Sequence, residues 1–388
     1  MSNTASNTNA PPLFSLEVNL ATLTNGISNV GANVNRAGTI VANPSDYYVS
    51  VTRLIVSTQR IPLWQPTLNT TSPNNDGYNT VYSVNLEYKG ITSGQVYLRV
   101  INDDRTVSPP TPPVNSQVFN GWGDVYSYDV ITTMINIAIK TAYDKLITYF
   151  GSDIDPNPPY MTWNATTQFF TMNCFPLSQY DQNTGDDVVR MYFNTEFKPF
   201  LLGWQLITET NNANTTSGLD VLLVLSNNGI NYTPQNNPPS FVPDDPTTTV
   251  LQMSQDISAP WCYVALNKIL VITSLPIAYP CLTDLPLNLI GQAFNNQTSP
   301  ILIDYLVNYS AGGASSFQQP ISYSATSDIY TSPIKLGGTS PITSFSIGIY
   351  YQNLAGNVFP LQTIGLRNSS IKLTFTHKSI IEAGLNKK

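Results

Sequence analysis

Charged side chains are scarce in this chain, at 11% of 388 residues, where an ordinary soluble domain carries roughly 25%. Its surface must therefore be covered by neutral polar groups: Asn, Thr, Ser, Gln and Tyr. Such a surface repels itself weakly and suits a protein that packs against neighbours. Positive charge is scarcer still, with 17 Lys and Arg against 24 Asp and Glu and a formal net charge of −7. Nucleic-acid binders neutralise phosphates with clustered basic residues. Here the first basic residue is Arg36, and the opening MSNTASNTNAPP bears no charged side chain, so direct nucleic-acid binding is not expected. No apolar stretch reaches the roughly 18 residues of a membrane span, and the start lacks the basic-then-apolar pattern of a secretory signal. The expectation is a soluble protein made inside the cell. Asn-x-Ser/Thr triplets such as those at Asn69 and Asn164 then reflect the abundance of Asn and Thr and do not mark glycan sites.

Reactive residues are equally few. Cys174, Cys262 and Cys281 are odd in number and lack C-x-x-C spacing, so neither a metal cage nor a disulfide framework is suggested. Reduced, mostly buried thiols are expected. The sole histidine, His377, would have to serve any Ser/His/Asp site, because a serine nucleophile needs a neighbouring base. No G-x-S-x-G occurs, and His377 shares an alternating face with Ile371, Leu373 and Phe375, which predicts a core or interface histidine. The acidic pairs Asp103-Asp104, Asp186-Asp187 and Asp244-Asp245 lack the alternating oxygen ligands of a calcium loop and read as solvated turns. Gly312-Gly313 and Gly337-Gly338 are followed by no Lys-Ser/Thr, so no phosphate cradle is expected. No catalytic, cofactor-binding or metal-binding residue is nominated, and no cofactor is called for.

What is abundant is turn chemistry. Twenty-nine Pro and 22 Gly lie between short apolar runs, the pattern of many-turned β architecture. Residues 1–12 read as a flexible arm. Phe14, Leu16, Val18 and Leu20 alternate with polar residues as in a half-buried strand, and a Gly/Asn-rich loop follows. Strands are predicted over 47–57, 80–88 and 95–101, the last two joined by a Lys-Gly turn. SPPTPPV (108–114) cannot be a central strand, since proline donates no ladder hydrogen bond. Tyr128, Ile131, Ile135, Ala138, Ala142, Leu146 and Tyr149 form one helical stripe, with Thr132, Asn136, Lys140 and Asp144 opposite. Ser127 is the expected N-cap and Gly151 the stop. A hairpin over 160–171 turns at 164–167, and 188–204 begins as a strand and becomes helical or irregular at Pro199. Residues 205–258, polar around one apolar run at 219–225, read as a surface elaboration. KILVITSLPI is apolar enough to be covered on both faces. Phe345, Ile347, Ile349 and Tyr351 share one face of a closing strand, as do Ile371, Leu373, Phe375 and His377.

In order, several of these segments resemble the penton (minor capsid) proteins of virophages and of Polinton/Maverick elements. VYSYDVITTMINIAIKTAYDKL is similar to that family's Tyr-Ser-Tyr helix with its Ile-Asn pair, here Ile135-Asn136. PYMTWNATTQFFTM resembles the hairpin that follows. VVRMYFNTEFKPFLLGW resembles a strand leading to a Phe-Asn step, here Phe193-Asn194. KILVITSLPI, ILIDY, FSIGIYYQNLAGNVFPL and SIKLTFTHK then follow in the family's order. One position departs: the residue after the Leu-Pro-Ile step, often acidic in relatives, is Ala278-Tyr279 here.

The resemblance implies an all-β single jelly roll, an antiparallel β-sandwich with Greek-key connections, carrying one prominent helix and surface insertions. The implied organisation is an arm over 1–12, a jelly-roll domain over 13–378 with candidate insertions at 65–122 and 205–258, and a tail over 379–388. The implied role is structural: homopentameric pentons at the fivefold vertices of an icosahedral virion, contacting a double-jelly-roll major capsid protein. Localisation would be the capsid vertex, after assembly in the host cytoplasm or viral factory. The alternative is a glycan- or receptor-binding β-sandwich of the lectin or adhesin kind, recognising host-surface or giant-virus glycans. A hydrolase would have to depend on His377.

Overall fold

A computed structural model describes residues 12–20, 27–57, 61–71, 73–101, 123–181, 187–201, 203–209, 220–225, 232–236, 249–255, 266–279, 300–306, 321–324, 333–353, 356, 358–364 and 369–385. The chain forms two compact units, one of residues 1–61 with 265–388 and one of residues 62–264. The boundaries thus fall elsewhere than at the edges of the expected insertions, 65–122 and 205–258.

The discontinuous unit is framed by eight strands: β1 (Leu13–Asn19), β2 (Gly31–Asn35), β3 (Tyr47–Val56), β4 (Leu266–Thr273), β5 (Ile301–Leu306), β6 (Ile321–Ser324), β7 (Ser344–Asn353) and β8 (Ser370–His377). All their pairings are antiparallel. One sheet runs β1-β8-β3-β6 and the other β2-β7-β4-β5. The first strand therefore pairs with the last, the second with the seventh, the third with the sixth and the fourth with the fifth. That is a long hairpin rolled over on itself, a jelly roll. Residues 62–264 leave the chain between β3 and β4.

Alternation in the sequence decides which face goes inside. Leu16, Val18 and Leu20, then Phe345, Ile347, Ile349 and Tyr351, then Ile371, Leu373 and Phe375 are all buried at period two, each side chain contributing roughly 1.5–3 kcal/mol of hydrophobic stabilisation. Phe375 stacks on Phe14 at 4.9 Å and meets Phe345 of the other sheet edge-on at 6.5 Å. Strand β3 breaks the alternation, burying Val49 and Val51 but then Leu54 and Val56. The cause is a bulge: the β8 register passes from Lys372↔Arg53 to Leu373↔Val51, so the extra residue, Thr52, shifts the parity. The Thr52 hydroxyl is satisfied by the Lys372 carbonyl and by Thr374 Oγ1. In β4 the consecutive Ile269, Leu270 and Val271 are all buried, so this strand is covered on both faces as its apolar run implied.

The stretch read as a Gly/Asn-rich loop contains β2. Its polar sequence GANVN hides a strand whose place is set by Gly31, opposite Gly348 in the ladder. A Cβ on Gly31 would lie 2.8 Å from the Ile347 carbonyl oxygen, so only glycine admits the approach. The expected tail also holds a helix, Lys378–Leu385. Its start is held by His377 Nδ1, which accepts from the Ser379 N–H at 3.3 Å.

The contiguous unit, 62–264, holds two sheets and the long helix. One sheet runs 206–209, 220–223, 190–194, 79–88, 91–92, with 96–99 also on 79–88; the other runs 232–236, 249–254, 169–174, 160–164. The helix spans Tyr128–Phe150 as its stripe predicts. The Ser127 side chain accepts from the Val130 N–H, and Gly151 ends the helix at φ 60°, a value only glycine adopts freely. Two details differ from the sequence reading. Tyr149 is 67% exposed, whereas Thr132 is buried with its hydroxyl bonded to the Tyr128 carbonyl at 2.7 Å. Within the stretch 205–258, Val221, Leu222, Leu223 and Leu225 are buried and their strand lies inside its sheet. Strand 190–194 passes into a 3-10 helix, Thr195–Leu201, whose Phe197 and Phe200 meet Tyr82 edge-on. The proline-rich 108–114, the Asp103-Asp104 and Asp244-Asp245 pairs, and Gly312-Gly313 lie outside the described residues.

Gly31→Val tests the close β2–β7 approach. The added side chain must displace backbone, and we expect a loss of about 1–3 kcal/mol, read as a lower denaturant midpoint at unchanged slope. Gly38→Val, where nothing stands within 4 Å of an added Cβ, is the control and should leave the midpoint nearly unchanged.

Candidate functional site

Among the described residues no group of three or more His, Cys, Asp or Glu is placed to hold a metal ion. His377 closes β8 at intermediate exposure. Its ring meets Tyr47 edge-on at 5.2 Å and its Nδ1 lies 2.8 Å from Ser379 Oγ. The serine is two residues away on the helix that His377 caps, so the contact is local capping. The nearby carboxylate, Asp46, is engaged by Lys378 Nζ at 2.7 Å and by Asn43 Nδ2 at 2.6 Å. The Lys378 hydrogen bond, against a smaller cost of burial, holds the Asp46 carboxyl below the usual carboxylate range. These contacts tie the C-terminal helix to the start of β3. Cys174 is fully buried, which pushes its thiol well above the ordinary range; Cys262 and Cys281 lie outside the described residues.

Two asparagines instead carry the unit's construction, and both sit in segments where the family resemblance is strongest. Asn136 projects from the long helix to the hairpin strand 160–164. Its Nδ2 donates to the Met161 carbonyl at 2.8 Å and its Oδ1 accepts from the Met161 N–H at 2.7 Å. Asn194 does the same at the end of its strand, donating to the Val81 carbonyl at 2.7 Å and accepting from the Ser83 N–H at 3.0 Å. A carboxamide reproduces the donor and acceptor of a peptide group, so each side chain acts as one rung of a ladder the backbone cannot supply. From spacing alone Asn136 belongs to the solvent side of the helix; its role is visible only once the hairpin is in place. Two triplet asparagines fall among the described residues: Asn164 Oδ1 accepts the N–H groups of Thr166 and Thr167 at the hairpin turn, and Asn69 is buried with its Oδ1 accepting from the Thr71 N–H.

The hairpin sheet has a neutral polar face. Thr171 and Ser254 hydroxyls lie 2.7 Å apart, Gln252 Nε2 donates to Asn173 Oδ1 at 2.9 Å, and Asn173 Nδ2 donates to Thr162 Oγ1 at 3.3 Å. These groups satisfy one another. Tyr149 and Tyr279, at 67% and 82% exposure, are the most exposed large aromatics described.

A sequence profile of the family described as Sputnik minor capsid protein V18/19 matches residues 13–377. The chain belongs to that family. An uncharacterised protein V18 of Sputnik virophage is 33% identical over 121 residues, 29% of this chain and 71% of the relative. A chain of the 3.5 Å cryo-EM structure of the Sputnik virophage superposes with a TM-score of 0.76 at 23% identity, covering 96% of this chain and 99% of that one. The crystal structure of the mavirus penton protein superposes with a TM-score of 0.58 at 14% identity, covering 94% and 99%. As a member of the Sputnik minor capsid family the protein is a structural component of the capsid, located in the virion, and the jelly roll is the fold shared with these structures.

Two measurements follow. Asn136→Ala leaves the Met161 peptide without its side-chain partner, and a loss of about 1–3 kcal/mol is expected in urea unfolding, whereas Thr133→Ala on the exposed helix face should stay within about 0.5 kcal/mol. For Asp46, a depressed folded-state pKa means its stabilisation is complete above the unfolded carboxylate value, about 3.9, and is lost as pH falls through the folded value. Lys378→Met should therefore lower the melting temperature at pH 7 and converge with wild type in acid; an undiminished difference in acid would refute the pairing as its source.

Proposed function

We propose that the protein is the penton of an icosahedral virion: five copies close a ring at the fivefold vertex and contact a major capsid protein around it. The observation that carries this reading is the coverage of nearly the whole chain by both a virophage capsid chain and a penton protein. The composition supports it. A chain with only 11% charged residues lets identical copies approach with little like-charge repulsion, and a heterologous contact repeated by rotation generates a closed ring. No catalysis is proposed. Its one histidine caps a helix and the carboxylate of Asp46 near it is held by Lys378, so the acid–base constellation of a hydrolase is unsupported. Direct nucleic-acid contact is likewise not part of the reading, given the net charge of −7.

Within this reading the jelly roll of β1–β8 is the shell-forming module and residues 62–264 are an elaboration of the β3–β4 connection. Assembly takes place in the host cytoplasm or viral factory, where the particle's other proteins are made. Glycan recognition by a lectin-like surface is the second reading. Trp204, at the border of the polar stretch 205–258, is buried and offers no aromatic platform for a sugar ring.

Native mass spectrometry of the purified full chain, with image reconstruction of particles, tests the first reading. Pentamers, and density for this chain at the vertices, are the expected results. A protein that stays monomeric at micromolar concentration and is missing from vertices would remove the penton assignment, and glycan-array binding by that monomer would favour the second reading.

A further inference from the structure

Strand β1 ends its sheet: among the described residues it pairs with β8 and no other strand. The Pro12 carbonyl accepts from the His377 N–H, and the Leu20 N–H donates to the Ser369 carbonyl. Antiparallel strands alternate between residues that bond their partner and residues that do not. The even-numbered positions of β1 therefore face β8, and the N–H and C=O groups of Leu13, Ser15, Glu17 and Asn19 point out of the sheet. All four of these residues are exposed. The register is unbroken over seven residues, so no bulge twists this edge away. It carries no lysine and no internal proline, the usual protections of a free edge. Its one charge, Glu17, is ion-paired with Arg53. An edge of this kind is a template for an added strand.

The sequence preceding β1 supplies a strand of matching chemistry. MSNTASNTNA is uncharged and meets no electrostatic barrier at a surface of this composition. Its sequence disfavours a tight two-residue turn next to β1. A two-residue hairpin needs positive φ at one or both central positions, and Pro11 and Pro12 are locked near −65°, with the residue before each held extended. Ten residues span about 33 Å when extended.

We propose that residues 1–10 of one copy add as an outer strand to the free edge of β1 in the next copy around the ring, each copy giving one arm and receiving one. The proposal rests on the pentameric reading above and adds to it the contact that links neighbours. Full-length protein with one cysteine at Thr4, Ala5 or Ser6 and another at Asn19 should oxidise to a ladder of covalent oligomers ending at five. Deleting residues 1–10 should raise the concentration at which rings dissociate by at least about tenfold. Leu13→Pro with Asn19→Pro removes two outward N–H groups while leaving the β1–β8 bonds, and should do the same with the melting temperature of the monomer little changed. Rings that form equally well in all variants, with cross-links confined within single chains, would overturn the arm exchange and leave the pentamer intact. A ladder that stops at dimers would overturn it in favour of reciprocal exchange between two copies. A wild-type protein that is monomeric would overturn the ring, and the arm exchange with it.

Discussion

The pairing of β8 with both β1 and β3 is the constraint on which the jelly-roll unit depends. The last strand of the framework lies between the first and the third, and its Phe375 stacks on β1 and reaches the opposite sheet. Without β8, β1 has no partner and β3 keeps only short neighbours on one side. The contacts that close this sheet join residues more than 300 positions apart, as between Ser57 and Ser369. Loop-closure entropy rises only logarithmically with length, so the long insertion between β3 and β4 weakens the closed state little. The larger cost is in rate, since topologies dominated by distant pairings form slowly.

The two units solve the problem of buried polar groups differently. In the jelly roll hydroxyls serve: Thr52 and Thr374 cover the bulge, Ser274 Oγ accepts from the Ser346 N–H and Thr273 Oγ1 donates to the Ser346 carbonyl. In the 62–264 unit, where a helix and a 3-10 turn interrupt the sheets, carboxamides take over where ladders stop. Asn136 and Asn194 each bind both a donor and an acceptor of one neighbouring strand. Asp76 plays a related part: burial opposes its charge, but the N–H groups of Tyr78 and Asn79 and the Arg99 guanidinium outweigh it and hold the carboxyl below its usual range. A composition poor in charge and rich in Asn and Thr thus serves the interior architecture as well as the surface.

How much of this was legible beforehand depended on periodicity. The long helix, the hairpin at 160–174 and strands β1, β7 and β8 follow from apolar spacing at 3.6 or 2 residues, and they sit where the spacing puts them. β2 was not legible, because GANVN carries no alternating apolar signal and its strand exists through the ladder with β7 and the room Gly31 leaves. The parity change in β3 was hidden as well; an insertion of one residue in a ladder has no mark in a single strand's sequence. The burial of 220–225 was masked by its polar flanks, and the sidedness of Asn136 by the absence, on a helical wheel, of the strand it binds. For the function, the segment order carried more than any single residue.

One consequence of the split between the units concerns synthesis. Residues 62–264 are contiguous, so that unit is fully translated while β4 to β8 are still to be made. The jelly roll cannot close until β8, whose last residue is His377, has cleared the ribosome. Its β1–β8 edge, and any contact between copies that uses it, therefore becomes available only on chains translated past His377, and a product truncated before that residue would have no closed sheet to offer a growing shell.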